Sequence, residues 1–374
     1  MGYEIDFLPV GTDKPGDAIT LRFGNLTGPR SSQAVVVLDG GFTDTGTKVI
    51  EHINTYYGTN KIDLLISTHP DQDHVSGLES LLMNCEVGSL WMHRPWNHTH
   101  QIAQLFEDGR VTDNSIRQAL HDSLDKAHAI ERIALRKNIQ ITEPFMGVSY
   151  YPFRNNPMHH VSYANMGLEV LGPSQSYYET LLPEFRCLPE VADSSGLLRS
   201  LVQKVGDAIT TVAENWGFET LDDSGETSPE NNSSVILLGN MGLTERFLLT
   251  SDAGIPALGE ALTLLQRSSF DFSTLKFTQV PHHGSRRNVG PTLLNQFLGQ
   301  KQIYDLTTKK PAFVSATAID HPKHPSKKVL NAFRRRGWEV HVTAGLTKNH
   351  RNGAPARPNW ENSIPAPFFN EVEE

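Results

Sequence analysis

Cysteine is nearly absent: Cys85 and Cys187 are the only two thiols in 374 residues. They cannot build a disulfide framework and lack the paired spacing of a zinc ribbon, so a reducing, cytoplasmic setting is expected. Long apolar runs are missing too. No stretch approaches the roughly 20 residues that a helix needs to cross a bilayer, and the amino terminus enters strand-like sequence, Tyr3 to Val10, without a basic leader or apolar signal core. No membrane partner is expected. Basic charge is in short supply, with 33 Lys and Arg against 42 Asp and Glu for a net charge of −9. That excludes the broad basic face with which proteins grip long duplexes by their phosphates.

What is present is a dense run of metal-ligand chemistry. Ser67-Thr68-His69-Pro70-Asp71-Gln72-Asp73-His74 follows the apolar stretch Ile62 to Ile66, placing four potential ligands within six residues at the end of an expected strand. Imidazole nitrogen and carboxylate oxygen are donors for divalent metals, and crowding the acids without a cation would leave them to repel one another. The run therefore reads as part of a binuclear metal site.

Three more expected strands close in His or Asp. Arg246 to Thr250 leads to Ser251-Asp252, Leu275 to Val280 leads to Pro281-His282-His283-Gly284-Ser285, and Pro311 to Ser315 is soon followed by Asp320-His321-Pro322-Lys323-His324-Pro325. Ligand sites in layered α/β folds gather beyond strand ends, where loops unite side chains distant in sequence. Upstream, Tyr3 to Val10 and Ala18 to Phe23 read as a hairpin, Ala34 to Asp39 as a third strand, and Thr47 to Tyr57 as a helix. A second hairpin is expected around Asn240-Met241-Gly242. Two segments interrupt this rhythm. Residues 96–163 are His-rich and carry an amphipathic helix from Asp113, its candidate N-cap, to about Lys137. Residues 174–230 are partly helical and end in the acidic stretch 221–230, expected to be a mobile loop.

On these residues the chain resembles the metallo-β-lactamase fold, and within it the nuclease-like domain of bacterial competence DNA-uptake proteins. The motifs that carry the resemblance are Phe7-Leu8-Pro9-Val10-Gly11 leading to Gly16-Asp17-Ala18-Ile19, Val37 to Gly41, Ser67 to Gly77, Asn231 to Ser234, Leu248 to Asp252, Val280 to Ser285 and His324-Pro325-Ser326. The resemblance spans about residues 3–345 apart from the two insertions. It implies one α/β domain over 1–374, an αββα sandwich of two mixed β-sheets with outer helices and a binuclear site at one edge. Asp71 stands where the broad superfamily usually has His, and Ser251 where the competence-type proteins usually have Gly. The spacing of His321 and His324 is unlike the usual final motif. The family's membrane channel is also missing, which argues against DNA transport.

The resemblance implies roles. His69 and Asp71 are expected on one metal, Asp73 and His74 on the other, with Asp252 shared and His282 or His283 completing a shell. Two divalent ions about 3.5 to 4 Å apart would lower the pKa of a shared water from about 16 toward neutrality, providing a nucleophile that Asp73 orients. His324 or His321 would donate a proton or hydrogen bond to developing charge, and the Ser285 turn with Arg286 and Arg287 would steady a phosphate oxygen. With no thiolate and several carboxylates, Mn²⁺ competes with Zn²⁺. The expected activity is hydrolysis of a phosphodiester in nucleic acid or a nucleotide. Ester, lactone or amide hydrolysis is the alternative, as is a sensing or effector subunit of a bacterial defence system whose insertions dock a protein partner. Against each metal candidate stands a bland role in a turn or on the surface. His93, His98, His100, His159 and His160 fit the bland role better, as surface or rim residues. Arg334-Arg335-Arg336 are expected to cap a helix end and face water.

Overall fold

The computed structural model describes residues 1–103, 112–154, 164–186, 188, 211–242, 244–321 and 323–373. Cys187, His159, His160 and parts of both insertions lie outside them. Along the chain run β1 (Gly2–Phe7), β2 (Ile19–Gly24), β3 (Gln33–Leu38), β4 (Lys61–Ile66), β5 (Glu86–Trp91), β6 (Gln140–Thr142), β7 (Ser149–Tyr150) and β8 (Met166–Gly172). There follow β9 (Thr211–Ala213), β10 (Ile236–Met241), β11 (Arg246–Leu249), β12 (Leu275–Gln279), β13 (Lys310–Val314), β14 (Trp338–Val342), β15 (Lys348–Asn352) and β16 (Glu371–Glu373).

Alternation within the strands explains the layers. In β3, Ala34, Val36 and Leu38 join the cluster shared with the opposite sheet, while Val35 and Val37 join the cluster beneath the outer helices. Successive side chains leave a strand on opposite faces, so a strand apolar on both faces must be covered on both. The first sheet has the order β15-β1-β2-β3-β4-β5-β6 and the second β14-β13-β12-β11-β10-β8-β7. Each is antiparallel at one side and parallel at the other. Aromatic rings fill the space between them, with Phe7 edge-on to Phe277 and Phe313. Helices Thr43–His52 and Leu78–Asn84 cover the first sheet, and Ile255–Arg267, Pro291–Leu298 and Lys327–Arg335 the second. This is the αββα sandwich expected. Among the described residues no helix is long and apolar enough to cross a membrane.

The single helix expected from Asp113 to Lys137 is instead two, Asp113–Ser123 and Asp125–Arg136, broken at Leu124. The halves serve different cores. Ile116 and Leu120 pack with Tyr178, Leu182 and Phe185 of the second insertion, whereas Ala127, Ile130 and Ile133 pack beneath the first sheet. The cap is Thr112, whose hydroxyl accepts the Ser115 N–H in a capping box; Asp113 lies one residue inside the helix.

The acidic stretch expected to be mobile is fastened. Leu221 is buried, and Asp223 accepts hydrogen bonds from the Thr292 N–H and hydroxyl at the start of Pro291–Leu298. The arginines expected in water are ion-paired, two of them with acids just upstream of this stretch. Arg335 is fully buried against Glu214 at 2.9 Å, Arg336 donates to Glu219 at 2.7 Å, and Arg334 pairs with Asp305. Removing one member of a buried pair strands the other, at a cost of roughly 3–5 kcal/mol. Glu214→Ala is thus expected to lower unfolding free energy by about 3–5 kcal/mol in urea denaturation; a loss below about 1 kcal/mol would contradict this anchoring role.

Candidate metal centre

Five strands end at one edge of the sandwich. There β3 gives way to Asp39, β4 to Ser67 through His74, β11 to Ser251 and Asp252, β12 to His282 and His283, and β13 to Ser315. The sheets are tied at this edge by the Val235 N–H donating to the Thr68 carbonyl at 3.0 Å. Asp39, Ser251, His282 and His283 all have left-handed backbone, with φ of 56°, 46°, 44° and 54°. For residues with a Cβ this costs about 1–3 kcal/mol each, and such strain concentrates where side-chain direction matters. Ser251, at a position where glycine would sit without strain, gains a contact glycine lacks. Its hydroxyl lies 2.7 Å from the Thr68 hydroxyl and 3.4 Å from His69 Nδ1.

Asp252 is the centre of the cluster. Its Oδ2 lies 3.9 Å from His69 Nε2, 3.5 Å from His74 Nε2, 3.4 Å from His282 Nε2 and 3.8 Å from His283 Nε2. The other ring nitrogens are held from behind. His74 Nδ1 is 2.8 Å from Asp39 Oδ2, His282 Nδ1 2.9 Å from Asn288 Oδ1, and His283 Nδ1 3.0 Å from the Ser315 carbonyl. His69 Nδ1 is 3.2 Å from the Thr68 hydroxyl, which itself donates to Asp39. Anchoring Nδ1 fixes the ring and leaves Nε2 as the free donor, the arrangement found around metal-ligating histidines.

The inward atoms find no hydrogen-bond partner. His69, His74 and His283 Nε2, Asp252 Oδ1 and Asp17 Oδ1 are all buried and unsatisfied. Leaving such groups unpaired costs about 1–3 kcal/mol apiece, a debt that a cation accepting their lone pairs removes. Ligand atoms of His69, His74 and Asp252 lie within 4.8 Å of one another, as do those of Asp73, His74 and His283, and those of Asp17, Asp252 and His283. These residues fit a divalent-metal centre.

Asp17 was not among the residues singled out from sequence. The Gln279 side chain orients it, donating to Asp17 Oδ2 at 2.7 Å while accepting the Thr250 and Ser251 N–H groups. Gly16 permits this approach, because a Cβ there would fall 2.3 Å from the Asp73 carbonyl oxygen. In the sequence Asp39, behind His74, stands out only as part of a motif. An acid closing or opening an apolar strand was the available signal for both. Arg186 gave none: it comes from the second insertion, and its Nη2 lies 3.2 Å from both oxygens of Asp71.

The remaining candidates divide. Asp71 is at the edge of the cluster, 4.0 Å from His69 Nε2. Asp73 lies 3.6 Å from His283 Nε2 and 3.8 Å from His74 Nε2. Both His282 and His283 face the centre, so no choice between them is required. His324 stacks on the His282 ring at 5.7 Å, and burial with the neighbouring His282 and His283 pushes its pKa down to about 3. His321 turns away, its Nδ1 accepting the Lys323 and His324 N–H groups, so it shapes the turn. Ser285 is buried and its hydroxyl accepts the Arg287 N–H, while Arg286 and Arg287 are exposed. His93 and His98 are not surface residues as expected. His98 is buried between Glu143 and Glu179, and His93 stacks on Tyr178. His100 is exposed.

No family model matches the sequence, and no curated protein does. Among solved structures the chain is similar to a diphosphatase of the PhnP family, with 9% identity, a TM-score of 0.39, and 94% of this chain and 98% of that one covered. It is similar to YhfI, a metallo-β-lactamase fold protein of Bacillus subtilis, with 8% identity, a TM-score of 0.38 and coverage of 92% and 99%. A metallo-β-lactamase superfamily protein of Sulfolobus tokodaii gives 12% identity, a TM-score of 0.30 and coverage of 78% and 83%. The sheet order and the donor set stand on this chain's own residues, apart from these likenesses.

The acids impose protons on the metal-free cluster. Burial alone would lower the pKa of His74 and His283, but Asp252 and Asp73 outweigh it, with Asp39 adding to the effect on His74 and Asp17 to that on His283. His74 is raised well above its ordinary value and His283 up to about 9. A cation must displace those protons, so metal affinity is expected to climb with pH through about 9. Calorimetry at pH 7 in buffers of different ionisation heat is expected to show proton release on Mn²⁺ or Zn²⁺ binding; proton-neutral binding would contradict the protonated pair.

Proposed function

We propose that this protein is a metal-dependent hydrolase of phosphodiesters, acting on nucleic acid or a nucleotide. The observation that carries the reading is the set of unpartnered imidazole nitrogens and carboxylate oxygens converging on Asp252. Two ions are inferred because the donors form more than one group of mutually close ligand atoms, one with His69 and Asp252 and others with Asp73 and His283 or Asp17 and His283. His69, Asp71 and His282 would hold one, and Asp73, His74, His283 and Asp17 the other, with the Asp252 carboxylate within reach of both. When bound, such ions supply Lewis acidity toward a water and toward a phosphate oxygen.

The chain's own groups do the rest. Asp39 and Thr68 keep His74 and His69 in register, and Gln279 does the same for Asp17. Asp73 is ionised, because His74 and His283 outweigh the burial that would raise its pKa, and it can accept a hydrogen bond from an attacking water. His324, neutral beside His282, offers an imidazole N–H to charge developing on a phosphate or leaving oxygen. The donors are oxygen and nitrogen without sulfur, a hard set that suits Mn²⁺ as well as Zn²⁺ and favours oxyanion substrates.

Hydrolysis of bis(p-nitrophenyl) phosphate and of labelled single- and double-stranded DNA and RNA tests this directly. Metal-stripped protein resupplied with Mn²⁺ or Zn²⁺ is expected to cleave phosphodiesters, and Asp73→Ala and Asp252→Ala to fall to the metal-free background. Cleavage of p-nitrophenyl acetate or a lactone with every phosphodiester left intact would move the assignment to carbonyl hydrolysis. Activity indifferent to both substitutions would remove the metal centre from the reaction.

A further inference from the structure

We infer that Arg186 is the anion clamp of this site, a guanidinium that takes a non-reacting phosphate oxygen when Asp71 turns to a metal ion. The inference rests on the phosphodiesterase reading and names the group that would recognise the charge of that substrate. Access sets the geometry. The side chains of His69 and His74 are fully buried and those of His283 and Asp252 are 3% exposed, whereas Asp71 is 27%, Asp73 29% and His282 24% exposed. Solvent and substrate therefore reach the cluster past Asp71, Asp73 and His282. Arg186 stands at that opening.

Its base is held by Glu230 and its tip reaches the opening. The backbone N–H and Nε of Arg186 both donate to Glu230 Oε1, at 2.8 and 3.1 Å, and the Glu230 side chain is itself buried. The far end reaches Asp71, with Nη2 3.2 Å from each carboxylate oxygen, while the arginine side chain is two-thirds exposed. A guanidinium offers a planar fork that fits paired carboxylate oxygens and paired phosphate oxygens alike. In this structure one nitrogen of that fork, Nη2, takes both Asp71 oxygens while Nε stays on Glu230. With Asp71 committed to a cation, Nε would keep its bond to Glu230 while the Nη donors lose their carboxylate partner, and an oxygen of an anionic substrate at the opening is the acceptor that would satisfy them.

The test uses the full chain loaded with Mn²⁺, as wild type, Arg186→Ala and Arg186→Lys. Inorganic phosphate binding is measured by calorimetry, and kcat and KM with bis(p-nitrophenyl) phosphate. Arg186→Ala is expected to weaken phosphate binding and raise KM by about tenfold or more, since a charge-assisted hydrogen bond is lost, with Mn²⁺ stoichiometry unchanged and kcat within about threefold. Arg186→Lys keeps the charge without the fork and is expected to recover part of the loss. Unchanged phosphate affinity and KM, with Mn²⁺ bound more tightly by Arg186→Ala, would overturn the clamp and make Arg186 a competitor for Asp71. The two readings fail separately. Phosphate binding that depends on Arg186 in a protein that cleaves no phosphodiester would sink the reaction and uphold the clamp, whereas cleavage with phosphate binding indifferent to Arg186 would sink the clamp alone.

Discussion

The lone pairs around Asp252 are the constraint on which the rest of the site depends. Four imidazoles and a buried carboxylate share a few ångströms, with Asp17 and Asp73 beside them, and several of their inward atoms have no hydrogen-bond partner. Such an arrangement is unfavourable in a low-dielectric interior unless protons or cations balance it. Asp252 and Asp73 raise the pKa of His74 and His283 against the burial that would lower it. It also holds the donors in place at a cost in backbone strain, since Asp39, Ser251, His282 and His283 all adopt left-handed geometry. A fold selected for stability alone would gain by replacing these groups with apolar ones.

The same constraint reaches outward through the chain. Asp39, Thr68, Asn288 and the Ser315 carbonyl fix the ring orientations from one layer further out, and Gln279 ties Asp17 to the backbone of Thr250 and Ser251. Beyond them, residues 211–230 form a belt fastened by charge. Glu214 and Glu219 are pinned by Arg335 and Arg336, Asp223 meets the helix starting at Pro291, and Glu230 holds Arg186 at the mouth of the site. Arg186 and Glu230 of the insertion are thus a built part of the opening.

Much of this was legible in the sequence because strand ends carry the chemistry. Apolar runs placed β1 to β4 and β10 to β13 but not β5 to β8, β14 or β15, and the ligand-rich segments closing four of them supplied the candidates His69, Asp71, Asp73, His74, Asp252, His282 and His283. What was not legible depended on contacts between distant segments. Asp17 precedes its strand and becomes relevant only when Gly16 docks on the Asp73 backbone. The break at Leu124 cannot be read from helical periodicity, because the pattern continues through it while the two halves face different cores. His321 and His324 look equivalent in sequence, and the turn between them sends one toward His282 and the other back onto its own backbone. The arginines at 334–336 were read as solvated because their partners, Glu214, Glu219 and Asp305, lie far from them along the chain.

The central proposal is that the cluster around Asp252 would hold two divalent cations. Anomalous diffraction at the manganese edge, from crystals grown with Mn²⁺, tests it most directly. The account predicts two peaks flanking Asp252, one beside His69 and the other beside His283. A single peak would contradict the binuclear centre, and no peak at saturating Mn²⁺, with Zn²⁺ giving the same result at its own edge, would contradict the metal centre altogether.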